Sequence, residues 1–131
     1  MKRLAGAFVV FSMALTGCGG SLCDDLDDHF KQFSDKTKAC SSLYEPYTEP
    51  TDAEFEQCEQ DVKSCTDAEK DSIGKFLDCA NGLADCTAAT EQQFATSYVG
   101  CAQTHLSNIS DTCLSSTSES IRHAASMNYS R

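Results

Sequence analysis

Cysteine constrains this chain more than any other feature. Nine cysteines stand in 131 residues: Cys18, Cys23, Cys40, Cys58, Cys65, Cys79, Cys86, Cys101 and Cys113. So dense a set in so short a chain marks a disulfide framework in an exported protein. Metal binding lacks its spacings. There is no Cys-x-x-Cys, no Cys-x-x-Cys-His and no close pair of histidines, so neither zinc nor c-type haem is expected, and no cofactor is implied. Nine is odd, however, and one cysteine needs a different fate.

The N-terminus supplies it. Lys2 and Arg3 precede an apolar run from Leu4 to Leu15. That run is too short to span a bilayer, which takes about 20 apolar residues, but it suits the h-region of a signal peptide. It ends in Leu15-Thr16-Gly17-Cys18, where an ordinary signal would end in an A-x-A-like site. The tetrad resembles the lipobox of bacterial lipoproteins. The resemblance implies cleavage before Cys18, a diacylglyceryl group on its thiol, and a further acyl chain, such as palmitate, on the new amine. Two or more chains anchor a protein stably where one is marginal. Residues 1–17 are then a removed signal, residues 18–21 a lipidated cysteine with a very short tether, and the domain sits close to the membrane. Gly19 follows the lipidated position in place of the Asp that retains enteric lipoproteins in the inner membrane. The expected location is therefore the outer membrane of the cell envelope. With Cys18 acylated, eight cysteines remain for four bridges.

Loss of the signal removes two basic residues and no acidic ones, which leaves 8 Lys and Arg against 20 Asp and Glu, a net charge of −12. Such a surface repels nucleic acid and anionic headgroups, so neither is an expected partner. The acids are spread along the chain, as on solvated helix faces. The absence of Trp leaves a modest core, which the bridges must supplement.

Hydrophobic spacing reads as helix throughout. Ser21, with Asp24 three residues on, caps a first helix whose face is Leu22, Leu26, Phe30, Phe33, Thr37 and Cys40. Asp24, Asp25, Asp27 and Asp28 crowd its first turns and Lys36 and Lys38 its end, which suits the helix dipole better than the spacing suits calcium. Pro46 and Pro50 mark a connector. Thr51-x-x-Glu54 opens a second helix (Phe55, Cys58, Val62, Cys65), and Thr66-x-x-Glu69 a third (Ile73, Phe76, Leu77, Ala80) that Asn81-Gly82 ends. Thr90-x-x-Gln93 opens a fourth, lined by Phe94, Tyr98, Cys101, Ala102 and His105 or Leu106. Ser115 to Ser118 read as a loop, and residues 115–131 as a flexible or weakly helical tail. The expected fold is all-α: a compact, disulfide-stapled bundle of about four helices over residues 22–114.

An internal repeat accompanies this pattern. Cys58-x6-Cys65-Thr66-x-Ala68 is echoed by Cys79-x6-Cys86-Thr87-x-Ala89. With its helix ending in Phe76-Leu77-x-Cys79 and the lipobox ahead of it, the chain resembles a group of small cysteine-rich bacterial lipoproteins found in large genomes, notably those of gliding predatory soil bacteria. The resemblance covers roughly residues 15–113. It implies an envelope location and a stapled helical fold, and it carries over no catalytic residue.

The residues name no reaction, and no enzyme is expected. His29, His105 and His123 are scattered; His29, among acids, reads as an exposed helix residue. No nucleophile elbow, zincin or phosphate-loop motif is present. Asn108-Ile109-Ser110 and Asn128-Tyr129-Ser130 match the glycosylation sequon, but Asn108 reads better as a turn residue. Two roles remain. One is a membrane-anchored module that presents helical faces to an envelope protein partner. The other is a carrier of a small apolar ligand or lipid, as in the helical four-disulfide lipid-transfer proteins of plants, although the adjacent Cys-Cys and the Cys-x-Cys of that family are absent here. A large apolar cavity would favour the carrier, and a filled core with an exposed apolar patch the interaction module.

Antiparallel neighbours joined by short turns sort the cysteines by height. Cys23, Cys65 and Cys101 fall at one end with Cys58 about two turns away, and Cys40, Cys79 and Cys86 at the other. The expected pairs are Cys65 with Cys101, Cys23 with Cys58, and Cys40 with Cys79 or Cys86, leaving Cys113 for the remaining one.

Overall fold

The computed structural model describes residues 21–116. The signal segment, Cys18, the Gly19-Gly20 tether and residues 117–131, with His123 and Asn128, lie outside the described residues. The described chain is all-α: α1 (Leu22–Thr37), α2 (Asp52–Asp61), α3 (Asp67–Asn81), α4 (Glu91–Leu106) and α5 (Asp111–Ser116), with a 3-10 turn at Val62–Ser64 after α2.

Local sequence sets the helix starts. The hydroxyls of Ser21, Thr51 and Thr66 accept from the backbone N–H three residues on, and the Asp24, Glu54 and Glu69 carboxylates accept from the cap N–H in return. Each box satisfies two backbone donors that a helix start leaves open. The expected fourth box does not form. Thr90 makes no side-chain cap, because its hydroxyl bonds back to the N–H and carbonyl of Thr87 in the preceding turn. The repeat diverges here: Thr66 opens a helix at once, whereas Thr87 opens a turn. The loop expected from Ser115 does not begin there, since α5 runs on to Ser116. Asn108 lies in the turn after α4.

The apolar face of α3 packs as its spacing requires. Ile73, Phe76, Leu77 and Ala80 are buried against Leu26 of α1, Cys101, Ala102 and Leu106 of α4, and Ile109 and Cys113 beyond. A smaller cluster forms at the other end from Cys40, Cys86 and Phe94, with Phe33, Leu43 and Leu83 against it. α1 departs from the expected stripe. Its fully buried residues are Cys23, Leu26, His29, Ser34 and Thr37, while Phe30 and Phe33 are half-buried. An exposed His29 is therefore wrong: it is 1% exposed, because α3 and α4 close over that side of α1.

Four disulfides staple the helices: Cys23–Cys58, Cys40–Cys86, Cys65–Cys113 and Cys79–Cys101, with Cα separations of 6.0, 6.0, 4.6 and 5.7 Å. The first two agree with expectation. Cys65 with Cys101, and Cys113 with Cys79, do not form. The helix directions are as expected, but their heights are not. Residues 82–86 do not turn straight back into α4; they run on beside the end of α1, where Lys36 Nζ donates to the Leu83 carbonyl and Cys86 N–H to the Lys36 carbonyl, and only then does the chain turn at Thr87–Thr90. α4 thus starts well beyond the end of α3 and comes level with Cys79 only at Cys101. From that bridge, ten residues back on α3 reach Glu69 and nine on reach Ser110, whose N–H donates to Glu69 Oε1 at 2.8 Å; four back and three on reach Cys65 and Cys113. One antiparallel register accounts for both bridges.

Candidate functional site

The first half of the site is a buried polar group on α1. Asn81 Oδ1 lies 2.6 Å from His29 Nδ1, and Tyr98 Oη lies 3.4 Å from Nε2. A carbonyl oxygen only accepts, so Nδ1 carries the proton and Nε2 accepts from the Tyr98 hydroxyl. The imidazole sits among Phe30, Phe33, Phe76 and Tyr98, with the Tyr98 ring stacked at 6.2 Å and Phe76 edge-on at 5.8 Å. Burial pulls the His29 pKa below its ordinary value, against the Asn81 hydrogen bond, and burial pushes the Tyr98 phenol up. With both nitrogens engaged, this histidine is a packing and positioning group.

Tyr98 also faces the second half of the site, a cleft of about 700 Å³ between α1, α2, the connector after α1 and α4. Its walls are aromatic: Phe30 and Phe33 from α1, Tyr47 from the connector, Phe55 from α2, and Phe94 and Tyr98 from α4. These are six of the eight Phe and Tyr residues between positions 21 and 116; Phe94 also belongs to the smaller core cluster, and Phe30, Phe33 and Tyr98 pack against the core from the cleft side. Leu26, Leu43, Ala95 and Val99 fill the spaces between the rings. The Cys23–Cys58 bridge is part of the lining and fixes the spacing of the α1 and α2 walls.

The connector is held as a third wall by polar contacts. Tyr47 N–H donates to Ser34 Oγ at 3.1 Å, and the Tyr47 hydroxyl donates to Asp27 Oδ1 at 2.7 Å. That carboxylate, followed by burial, pushes the Tyr47 phenol up to about 12. At the other end the Ser42 N–H and hydroxyl both donate to Glu91 Oε1 at the start of α4.

Charge in the lining is one-sided. Asp27, Glu45 and Glu54 contribute to it, and among the described residues no Lys, Arg or His does. Among the described residues none of these three carboxylates is in an ion pair; the pairs join Lys36 to Asp85, Lys38 to Asp35 and Lys75 to Asp71. A second acidic grouping surrounds Asp25, whose pKa is raised first by burial and then by the neighbouring charges of Asp24, Asp28 and Asp78 of α3. Among the described residues no group of three or more His, Cys, Asp or Glu is placed to hold a metal ion.

Sequence reasoning placed Phe94 and Tyr98 on the inner face of α4 but missed the cleft, because Phe30 and Phe33 have the spacing of ordinary core residues. It also missed His29 and Asn81. A signal for His29 was present: three residues after Leu26 and four before Phe33, it continues the apolar stripe. Asn81 was legible only as a helix-end residue. The eight cysteines, by contrast, are all brought together in pairs. No described helix is long and apolar enough to cross a membrane. No family model, no curated protein and no solved structure matches the chain.

Proposed function

We propose that the chain is a cell-envelope lipoprotein, anchored through acylated Cys18, whose stapled helical module holds a small apolar ligand in the cleft between α1, α2 and α4. The role is binding rather than catalysis, at the outer membrane. The observation that carries the reading is the cleft itself. Its volume of about 700 Å³ falls within the usual range of small-molecule sites, and its lining is mainly aromatic and aliphatic with a few polar groups. A scaffold with two of its walls bridged by Cys23–Cys58 keeps such a site open without ligand, so little ordering is lost on binding. The lipobox at Leu15 to Cys18 supports the anchor, and the short tether would keep the cleft near the bilayer, where apolar ligands collect. A role as an interaction module for an envelope protein draws less support, because Tyr44 is the one exposed large apolar side chain among the described residues.

The test is binding of a neutral apolar fluorophore, Nile red, to the mature chain carrying Cys18→Ser, which needs no detergent. The expected result is saturable, blue-shifted emission that Ala95→Trp, which fills the cleft, abolishes while the helical circular dichroism stays intact. Emission unchanged by the protein, or equal in the Ala95→Trp chain, would remove the carrier role.

A further inference from the structure

The charge of the cleft carries a statement about its ligand. Resting on the carrier reading above, we infer that the cleft selects an amphiphile with a cationic, ammonium-type head over neutral and anionic ones. Two features of the lining converge on this. The first is the set of aromatic rings, Phe30, Phe33, Tyr47 and Phe55, on the α1, connector and α2 walls. An ammonium group is attracted to the face of such a ring by its quadrupole, and more strongly as it leaves water. The second is the carboxylates of the same three segments, Asp27, Glu45 and Glu54, with no basic residue in the lining and no ion pair to neutralise them among the described residues. Ring and charge are joined directly, since the Tyr47 hydroxyl donates to Asp27 and holds that carboxylate beside the aromatic wall.

An anionic head, such as a fatty-acid carboxylate, would enter a lining whose charged residues are all acidic, within a mature chain of net charge −12. It would meet repulsion at contact range and at long range. A neutral head would gain the apolar contacts alone. A cationic head gains the rings, the carboxylates and the steering field together. The Phe94, Ala95 and Val99 wall of α4 carries no charge and takes the hydrocarbon part.

The experiment is displacement of bound Nile red from the mature Cys18→Ser chain by three ligands that share a ten-carbon chain: decyltrimethylammonium, decanol and decanoate, each below its micellar concentration. Decyltrimethylammonium should displace the dye at roughly tenfold lower concentration than decanoate at low salt, with decanol between them, and added salt should narrow the gap. Glu45→Gln and Glu54→Gln should each narrow the gap between decyltrimethylammonium and decanol; glutamine at position 54 still serves a capping box. Equal displacement by all three, a preference for decanoate, or a cation preference that both variants leave intact would overturn the inference while the carrier role stood. Absence of Nile red binding would instead remove the carrier role, and this inference with it.

Discussion

His29 makes hydrogen bonds with both ring nitrogens inside an aromatic cage, at a place where an imidazolium would have to be desolvated. Its folded pKa lies below the unfolded value of about 6.5, so the unfolded chain binds the proton first. Its contribution to stability is complete above that value and is lost as the pH falls below it. Midpoints of urea unfolding should therefore drop between pH 7 and pH 5, and His29→Ala should flatten that part of the profile while costing about 3 kcal/mol through the cavity and the two orphaned partners. Glu69 acts lower on the pH scale. Hydrogen bonds from Ser110 and Thr66 hold its carboxyl down at about 2, so its contribution is present above about pH 4.5 and disappears as the pH falls toward 2. Thermal melts of Glu69→Gln should show a weaker dependence over that window than the unchanged chain.

At the scale of the element, helix starts were legible in the sequence because a capping box is a local device: four residues decide it. Ser21, Thr51 and Thr66 cap as their sequences require, and Thr66→Ala should cost about 1 kcal/mol in chemical denaturation. Thr90 has the same spacing and fails because Thr87, one turn back, competes for its hydroxyl. The faces of α3 and α4 were legible for a similar reason, since 3.6-residue spacing selects one side of a helix. Heights along the bundle were not. Nothing between Gly82 and Thr90 encodes that the segment runs past α3 to meet Lys36, and that displacement turned Cys65–Cys101 into two other bridges. The cleft was hidden likewise, because an aromatic at a core spacing reads the same whether another side chain or a ligand covers it. Gly74, inside α3, has nothing within 4 Å of the position a Cβ would take, so Gly74→Ala should stabilise the fold by about 0.5–1 kcal/mol, read as a higher urea midpoint.

For the whole molecule, the bridges carry a share of stability comparable to the core. They close loops of 35, 46, 48 and 22 residues. Chain entropy assigns about 3–4 kcal/mol to each, and a domain's entire stability is about 5–15 kcal/mol. Excess reductant at 37 °C should therefore abolish the helical circular dichroism, and a spectrum left intact would mean that packing alone holds the bundle. Removing only Cys79 and Cys101, as the double serine variant, should cost about 3 kcal/mol and leave the other three bridges in a non-reducing peptide map. That map also separates the two registers, because a Cys65–Cys101 fragment would place α4 at the wrong height. The proposed anchor and the scaffold of the cleft both rest on a division of labour among the nine cysteines, one acylated and eight bridged. Its most direct test is intact mass spectrometry of the protein extracted in detergent from the envelope. The expected species is a chain that begins at Cys18, carries acyl groups on that residue alone, and holds its eight other cysteines as four disulfides with no free thiol. A water-soluble chain beginning elsewhere, or one with free thiols among those eight, would contradict it.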